Sequence, residues 1–468
     1  MNNLINQAQP PLEFLPPALN LFWLRVTQII LPLWRRSQTS IVRIEAENVE
    51  TLVDLYEQFQ AGKVRFLMAF RHPSADDPIC MLHLLSQIVP QVARKRKVAL
   101  KNPIHAHFIY DRGLPLWVGS IVGWLLPRLG GTPIQRGKLD RVGLRSARDL
   151  FVNGSLPMAA APEGATNGHN EIVSPLEPGI AQMGFWCVED LLKAGRNEQV
   201  FIVPIGIQYR YLSRPWKNLE KLLRELESDL GLPVGKEAII YDEEAQRILY
   251  QRLYRLGEHL LRAMEKFYAK FYHQKLLGES KTAASSPEGS IERSEFAARL
   301  RSLLDAALQV AEQYFNIQPH GTEVDRCRRL EQAAWDCIYR EDIKDPEALS
   351  PVERGLADRI AVEADFRLWH MRLVESFVAV TGAYVLEKPT AERFAETILL
   401  VRDAIARIKG DNPFSRPRLG KQWVQMTVGQ PISVSQRWDA YRASRRGAKQ
   451  AVADLTGELQ TALEKTIV

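Results

Sequence analysis

The chain has 468 residues, 46% hydrophobic and 25% charged, a globular composition too long for one ordinary core, so two structural units are expected. The formal charge of +6 is unevenly spread: residues 1–150 carry 19 Lys and Arg against 11 Asp and Glu, and the remainder 42 against 44. A basic amino-terminal part suits an anionic membrane surface, an acidic carrier protein or a phosphorylated substrate; nucleic acid is disfavoured, because no recognised binding motif accompanies the charge.

In chain order, Pro10, Pro11, Pro16 and Pro17 stand where a secretory signal would have a charged start, so no cleavable signal is expected. Leu19, Phe22, Trp23, Val26, Ile30, Leu33 and Trp34 then recur at helical spacing and end on Arg35 and Arg36. Arg25, Gln28 and Pro32 interrupt the run, which is too short to span a bilayer and is read as a helix lying in the membrane interface. Strand-like runs follow at Ile41–Ile44, Arg65–Phe70, His105–Tyr110, Thr132–Gln135, Leu156–Ala161 and Val200–Tyr209, with helical patterns over 49–61, 78–89, 140–152 and 179–194. The apolar stretch Leu114–Leu126 reads as a buried helix. Strands alternating with helices predict an α/β fold, a mostly parallel or mixed sheet flanked by helices. From Leu219 to Ile408 the pattern is wholly helical, interrupted by a connector-like stretch at 278–290. Cys80, Cys187, Cys327 and Cys337 form neither a C-x-x-C pair nor a zinc spacing and read as thiols of a reducing compartment.

The chemistry begins where the second strand ends. His72 and Asp77 are five residues apart between a buried run and a helix that opens with Pro78. A strand-end loop exposes both at the carboxyl edge of the sheet. Asp77 can then hold one imidazole nitrogen of His72 while the other faces outward as a general base. Asp before Pro is also an ordinary helix start, which accounts for Asp77 alone but not for His72.

His72-Pro73-Ser74-Ala75-Asp76-Asp77 resembles the His, four residues, Asp signature of the lysophosphatidate and glycerophosphate acyltransferase family. Gly130-Gly131-Thr132-Pro133-Ile134-Gln135-Arg136 is similar to its second block. Ala161-Pro162-Glu163-Gly164, with Pro175–Gly179 downstream, is similar to the third, and Ile202-Val203-Pro204-Ile205-Gly206 to the fourth. The resemblance spans Ile41–Tyr211 and implies fatty acyl transfer from an acyl thioester, on acyl-carrier protein or acyl-CoA, to a lysophospholipid-type hydroxyl, with 1-acylglycerol-3-phosphate foremost. It implies His72 and Asp77 as catalytic residues and Arg136 as an acceptor-phosphate ligand, aided by Lys138 or Arg141. It also implies that Glu163 orients the acceptor or an arginine, and that Gly164 approaches the ligand. No metal and no cofactor are implied beyond the acyl donor as co-substrate. The expected partners are membrane lipids and the donor's carrier, and the expected location is the cytoplasmic membrane surface.

The chain departs from the family after Pro-Glu-Gly, where Thr166 replaces a phosphate-binding arginine and Asn167, His169 and Asn170 could meet an uncharged headgroup. A non-phosphate lipid acceptor is therefore the alternative, and an inactive membrane-bound scaffold a further one. Arg94, Lys95, Arg96, Lys97 and Lys101 form a basic run that could meet the donor or anionic lipid. The domain's expected closing strand, turn and helix match Trp423–Val428, Gly429–Ile432 and Ala448–Ile467. This predicts an interfacial helix over 1–39, the acyltransferase domain over 40–215 and 420–468, and a large all-α insertion over 216–419 with a flexible linker near 278–290. Within it Ser350-Pro351-Val352-Glu353 predicts a capped helix whose buried face runs through Leu356, Ile360, Ala364, Leu368, Met371, Val374 and Val378.

Overall fold

The run Val64–Phe70 is apolar except for Arg65 and is buried along its whole length, as a central strand covered on both faces must be. The computed structural model describes residues 7–135, 140–235, 240–277, 289–377 and 384–467. The chain runs α1 (Leu21–Gln38), β1 (Ile41–Glu47), α2 (Glu50–Gln60), β2 (Val64–Phe70) and α3 (Asp77–His83). A π-helical turn, Leu84–Ile88, joins α3 to α4 (Val89–Lys95), and β3 (His107–Asp111), α5 (Leu114–Val118), α6 (Ser120–Arg128) and β4 (Thr132–Ile134) follow. Next come α7 (Arg141–Asn153), β5 (Met158–Ala160), α8 (Gly179–Lys193) and β6 (Gln199–Tyr211). A helical stretch holds α9 (Trp216–Asp229), α10 (Glu243–Tyr272), α11 (Gly289–Phe315), α12 (Glu323–Ile338), α13 (Pro351–Phe377), α14 (Tyr384–Glu387) and α15 (Ala391–Lys409). The chain ends with β7 (Gln422–Val428), β8 (Ile432–Ser433), α16 (Trp438–Arg442) and α17 (Arg445–Glu464).

The strands form one mixed sheet in the order β1-β7-β6-β2-β5-β3-β4, with β8 also paired to β6. β6 runs antiparallel to β7 and β8, and the other pairings are parallel. Side-chain alternation sorts the sheet into two cores. Phe66, Met68 and Phe70 pack with α2 and α3 on one face; Leu67 and Ala69 pack with α7, α8 and α17 on the other. Gln422–Val428 is therefore a strand of this sheet, in register with Ile205–Tyr211.

Contacts divide the chain into two units. Among the described residues, one gathers residues 13–135, 140–212 and 421–467 around the sheet; the other gathers residues 7–12 with those of the helical stretch that begins at residue 213 and runs to 420. In the second, α13 starts as its sequence directs: Glu353 N–H donates to Ser350 Oγ at 3.3 Å and Ser350 N–H to Glu353 Oε2 at 2.9 Å. Its predicted buried face needs correction. Leu356 and Ile360 are exposed, Val378 lies outside the described residues, and the face packed into the core runs Ala357, Ala361, Ala364, Leu368, Met371 and Val374. α13 packs along both α11 and α12, and small side chains permit that approach where leucines would not.

A second correction concerns Leu114–Leu126. It is broken into α5 and α6 at Gly119, whose φ of 90° is left-handed. Leu116, Val118, Ile121, Val122 and Trp124 are exposed instead of buried, Ile121 by 80%. Hydrophobicity alone cannot tell a helix covered by protein from one left open. α1 behaves likewise: Leu24 and Leu31 are buried, while Phe22, Ile29, Ile30, Leu33 and Trp34 are exposed, Ile29 by 75%. Trp23 meets Trp124 edge-on at 5.0 Å, so both helices contribute to one apolar surface. Among the described residues no helix is long and apolar enough to cross a membrane.

Candidate active site

Parallel pairing of β2 with β5, with Ala69 opposite Ala160, sets the loops after both strands side by side at the carboxyl edge of the sheet. The first loop carries Arg71, His72 and Ser74; the second carries Glu163 to Asn170. Asp77 opens α3 and is fully buried.

His72 Nδ1 lies 2.9 Å from Asp77 Oδ2. A carboxylate can only accept, so Nδ1 carries a proton, and the neutral imidazole then presents its lone pair at Nε2, which has no partner among the described residues. The imidazole is 22% exposed and the carboxylate not at all, so the ring reaches solvent while the carboxylate that holds it is dry. Two further donors hold that carboxylate. Ser74 N–H donates to Oδ2 at 2.8 Å, and the Tyr209 hydroxyl donates to Oδ1 at 2.6 Å. Burial, then the charge of Asp77, pushes the Tyr209 phenol well above its ordinary range and keeps it a donor. Tyr209 was not legible from sequence, because no spacing rule links a tyrosine in β6 to an aspartate 132 residues earlier.

Glu163 fixes the loop that carries the base. Its Oε1 accepts from His72 N–H at 2.8 Å and lies 3.8 Å from Arg71 Nε, both side chains being buried. Its Oε2 accepts from Asn167 Nδ2 at 2.8 Å and from Ser174 N–H at 2.9 Å. Arg71 also donates to the carbonyls of His169, Asn170 and Ile172, which ties the two loops together. Of the two roles expected for Glu163, the structure displays the contact with an arginine, and that arginine is Arg71. Gly164 has φ of 74°, a left-handed turn that a side chain would strain.

The residues expected to meet an uncharged headgroup are occupied otherwise. Asn167 Nδ2 also donates to Ile172 O at 2.7 Å, and His169 Nδ1 bonds Asn167 O at 2.8 Å. Asn170 accepts from Tyr209 N–H at 2.8 Å and donates to Tyr209 O at 3.2 Å. These contacts shape the loop, leaving Thr166 as its exposed polar side chain. Arg136 and Lys138 lie outside the described residues, while Arg141 is exposed at the start of α7. Arg94, Lys95, Arg96, Lys97 and Lys101 are exposed, with Arg96 Nη1 2.6 Å from Asp54. A scan against protein-family models, a search of curated proteins and a search of solved structures each return no match.

Proposed function

We propose that this chain transfers a fatty acyl group from an acyl thioester to the hydroxyl of a lysophospholipid-type acceptor, 1-acylglycerol-3-phosphate foremost, while resting on the cytoplasmic face of a membrane. The α/β unit would then be an acyltransferase domain into which residues 216–419 are inserted. The observation that carries the reading is the His72–Asp77 pair, with Nδ1 held by a triply bonded buried carboxylate and Nε2 open to a ligand.

Such a pair supports one chemistry directly. Nε2 accepts the proton of the acceptor hydroxyl as its oxygen attacks the thioester carbonyl carbon. Asp77 stabilises the imidazolium that forms, the role of the acid in a Ser-His-Asp site in which the substrate brings the hydroxyl. Collapse of the tetrahedral intermediate breaks the C–S bond, and the proton on Nε2 passes to the departing sulfur. The products are an ester and a free thiol. The exposed apolar surface of α1, α5 and α6 supports presentation from a bilayer. So does a cavity of about 730 Å³ lined mainly by apolar residues, among them Leu15, Pro16, Pro115 and Trp124. Thr166, standing where the family has arginine, favours a neutral hydroxyl or amine acceptor as the second reading.

The test offers labelled acyl-carrier protein and acyl-CoA donors with phosphorylated and neutral lysolipids. Wild type should form ester, and folded His72→Ala should lose at least about two decades of turnover. Near wild-type turnover by His72→Ala would remove the mechanism.

A further inference from the structure

Arg35, Arg65, Arg71, Arg252 and Arg326 are the buried arginines of the described residues. Four of them have what a buried guanidinium needs. Arg65 donates to the carbonyls of Phe151 and Gly154 at 2.8 and 2.9 Å, and Arg71 to three carbonyls beside Glu163. Arg252 lies between Glu220 and Glu227, and Arg326 between Asp305 and Glu312.

Arg35 is the exception. The residue is 6% exposed, and its Nε and Nη1 are sealed from solvent without a hydrogen-bond partner among the described residues. Arginine does not shed its proton in proteins, so the fold keeps a permanent charge with two of its three nitrogens under cover and no carboxylate or carbonyl opposite among the described residues. A buried charge without a partner is costly, and the cost is relieved when an anion joins it.

The place of Arg35 says which anion. It sits in the last turn of α1, which packs on α3, the helix that Asp77 opens. Its charge bears on Cys80 and, with burial, helps hold His83 down to about 4; both residues follow Asp77 on α3. Cys80 Sγ in turn lies 3.6 Å from the Tyr209 hydroxyl that anchors Asp77. On its outer side α1 exposes Ile29, Ile30, Leu33 and Trp34, a surface for lipid chains, and a phosphate at headgroup depth would arrive at this end of the helix. We propose that Arg35 is an anion seat that binds the phosphate of a phosphorylated lipid. The proposal goes beyond the acyltransferase reading, and its test reads binding and needs no turnover.

The full chain is titrated with a short-chain monoacylglycerol phosphate below its micellar concentration, with the matching neutral monoacylglycerol, and with inorganic phosphate. Wild type should bind the phosphomonoester lipid at least about tenfold more tightly than either other probe. Arg35→Met should lose that preference, a ten- to hundredfold drop for the phosphomonoester at unchanged affinity for the neutral lipid. Without ligand its thermal midpoint should equal or exceed that of wild type, since an uncompensated charge is gone. Equal affinity of wild type for phosphorylated and neutral lipid overturns the proposal, and needs no variant to do so. So does a preference that survives in Arg35→Met. Inorganic phosphate binding as tightly as the lipid overturns the lipid assignment. Arg35-dependent binding without ester formation from any donor would remove the acyltransferase reading and leave the anion seat standing.

Discussion

At the scale of single residues, the candidate site is an imidazole held from behind. Asp77 receives three bonds, from His72, Ser74 N–H and Tyr209, and these fix its carboxylate plane before any ligand arrives. Removing the hydroxyl in Tyr209→Phe leaves the charge but frees one oxygen. With the proposed donors and acceptors, kcat should fall about tenfold while KM stays within a factor of about two, the pattern of a positioning residue. Asp77→Asn removes the charge and lets the amide hold the wrong tautomer, so its loss should exceed about a hundredfold. Equal losses in the two variants, measured as initial rates, would mean that Tyr209 does more than orient. The sequence made His72 and Asp77 legible because a short loop joins them. It singled out Glu163, though not its bond to His72 N–H. Tyr209 and Arg71 were hidden, the first because strand pairing alone brings it close, the second because Arg before His reads as surface charge.

At the scale of elements, hydrophobic periodicity located most of the sheet. β1 reaches Glu47, beyond the expected Ile44, because it borders β7, whose pairing extends along Ile41–Glu47. His105 was expected to begin a strand, but the strand starts at His107, and the His105 ring instead bonds Leu129 O at 2.9 Å. The helix expected over 78–89 contains a π turn, which no side-chain pattern announces. The sequence reading takes α5 and α6 as one buried helix, since an apolar helix has the same sequence whether protein or lipid covers it. That ambiguity has a test. Replacing Ile29 and Leu33 on α1 and Ile121 on α6 by serine should weaken binding to anionic vesicles several-fold without lowering the thermal midpoint, because these side chains are exposed. A fall in thermal midpoint with unchanged sedimentation alongside vesicles would assign the surface to the protein's own stability.

At the scale of the whole molecule, buried neutral histidines set the response to acid. His105 is 1% exposed and burial holds its pKa at about 4; His370, fully buried against the Tyr268 hydroxyl at 2.6 Å, is held at about 3. Both folded values lie below the ordinary 6.5, so the unfolded chain takes up protons first as pH falls. Stability should be fully present above about pH 6.5 and decline by up to roughly 1.4 kcal/mol per pH unit for each such histidine down to about pH 4. Urea midpoints at pH 7.5 and pH 5 measure this; His105→Asn should shrink the difference, and a flat profile would contradict it. The strand order carries a consequence for biosynthesis. Among the described residues β1 borders only β7, so it gains its neighbour in the sheet only after the whole helical stretch between them has been made. Throughout that interval α1, just ahead of β1, is not yet pinned by a finished sheet, and its tryptophans and leucines are free to find a bilayer while the rest of the chain is still being translated.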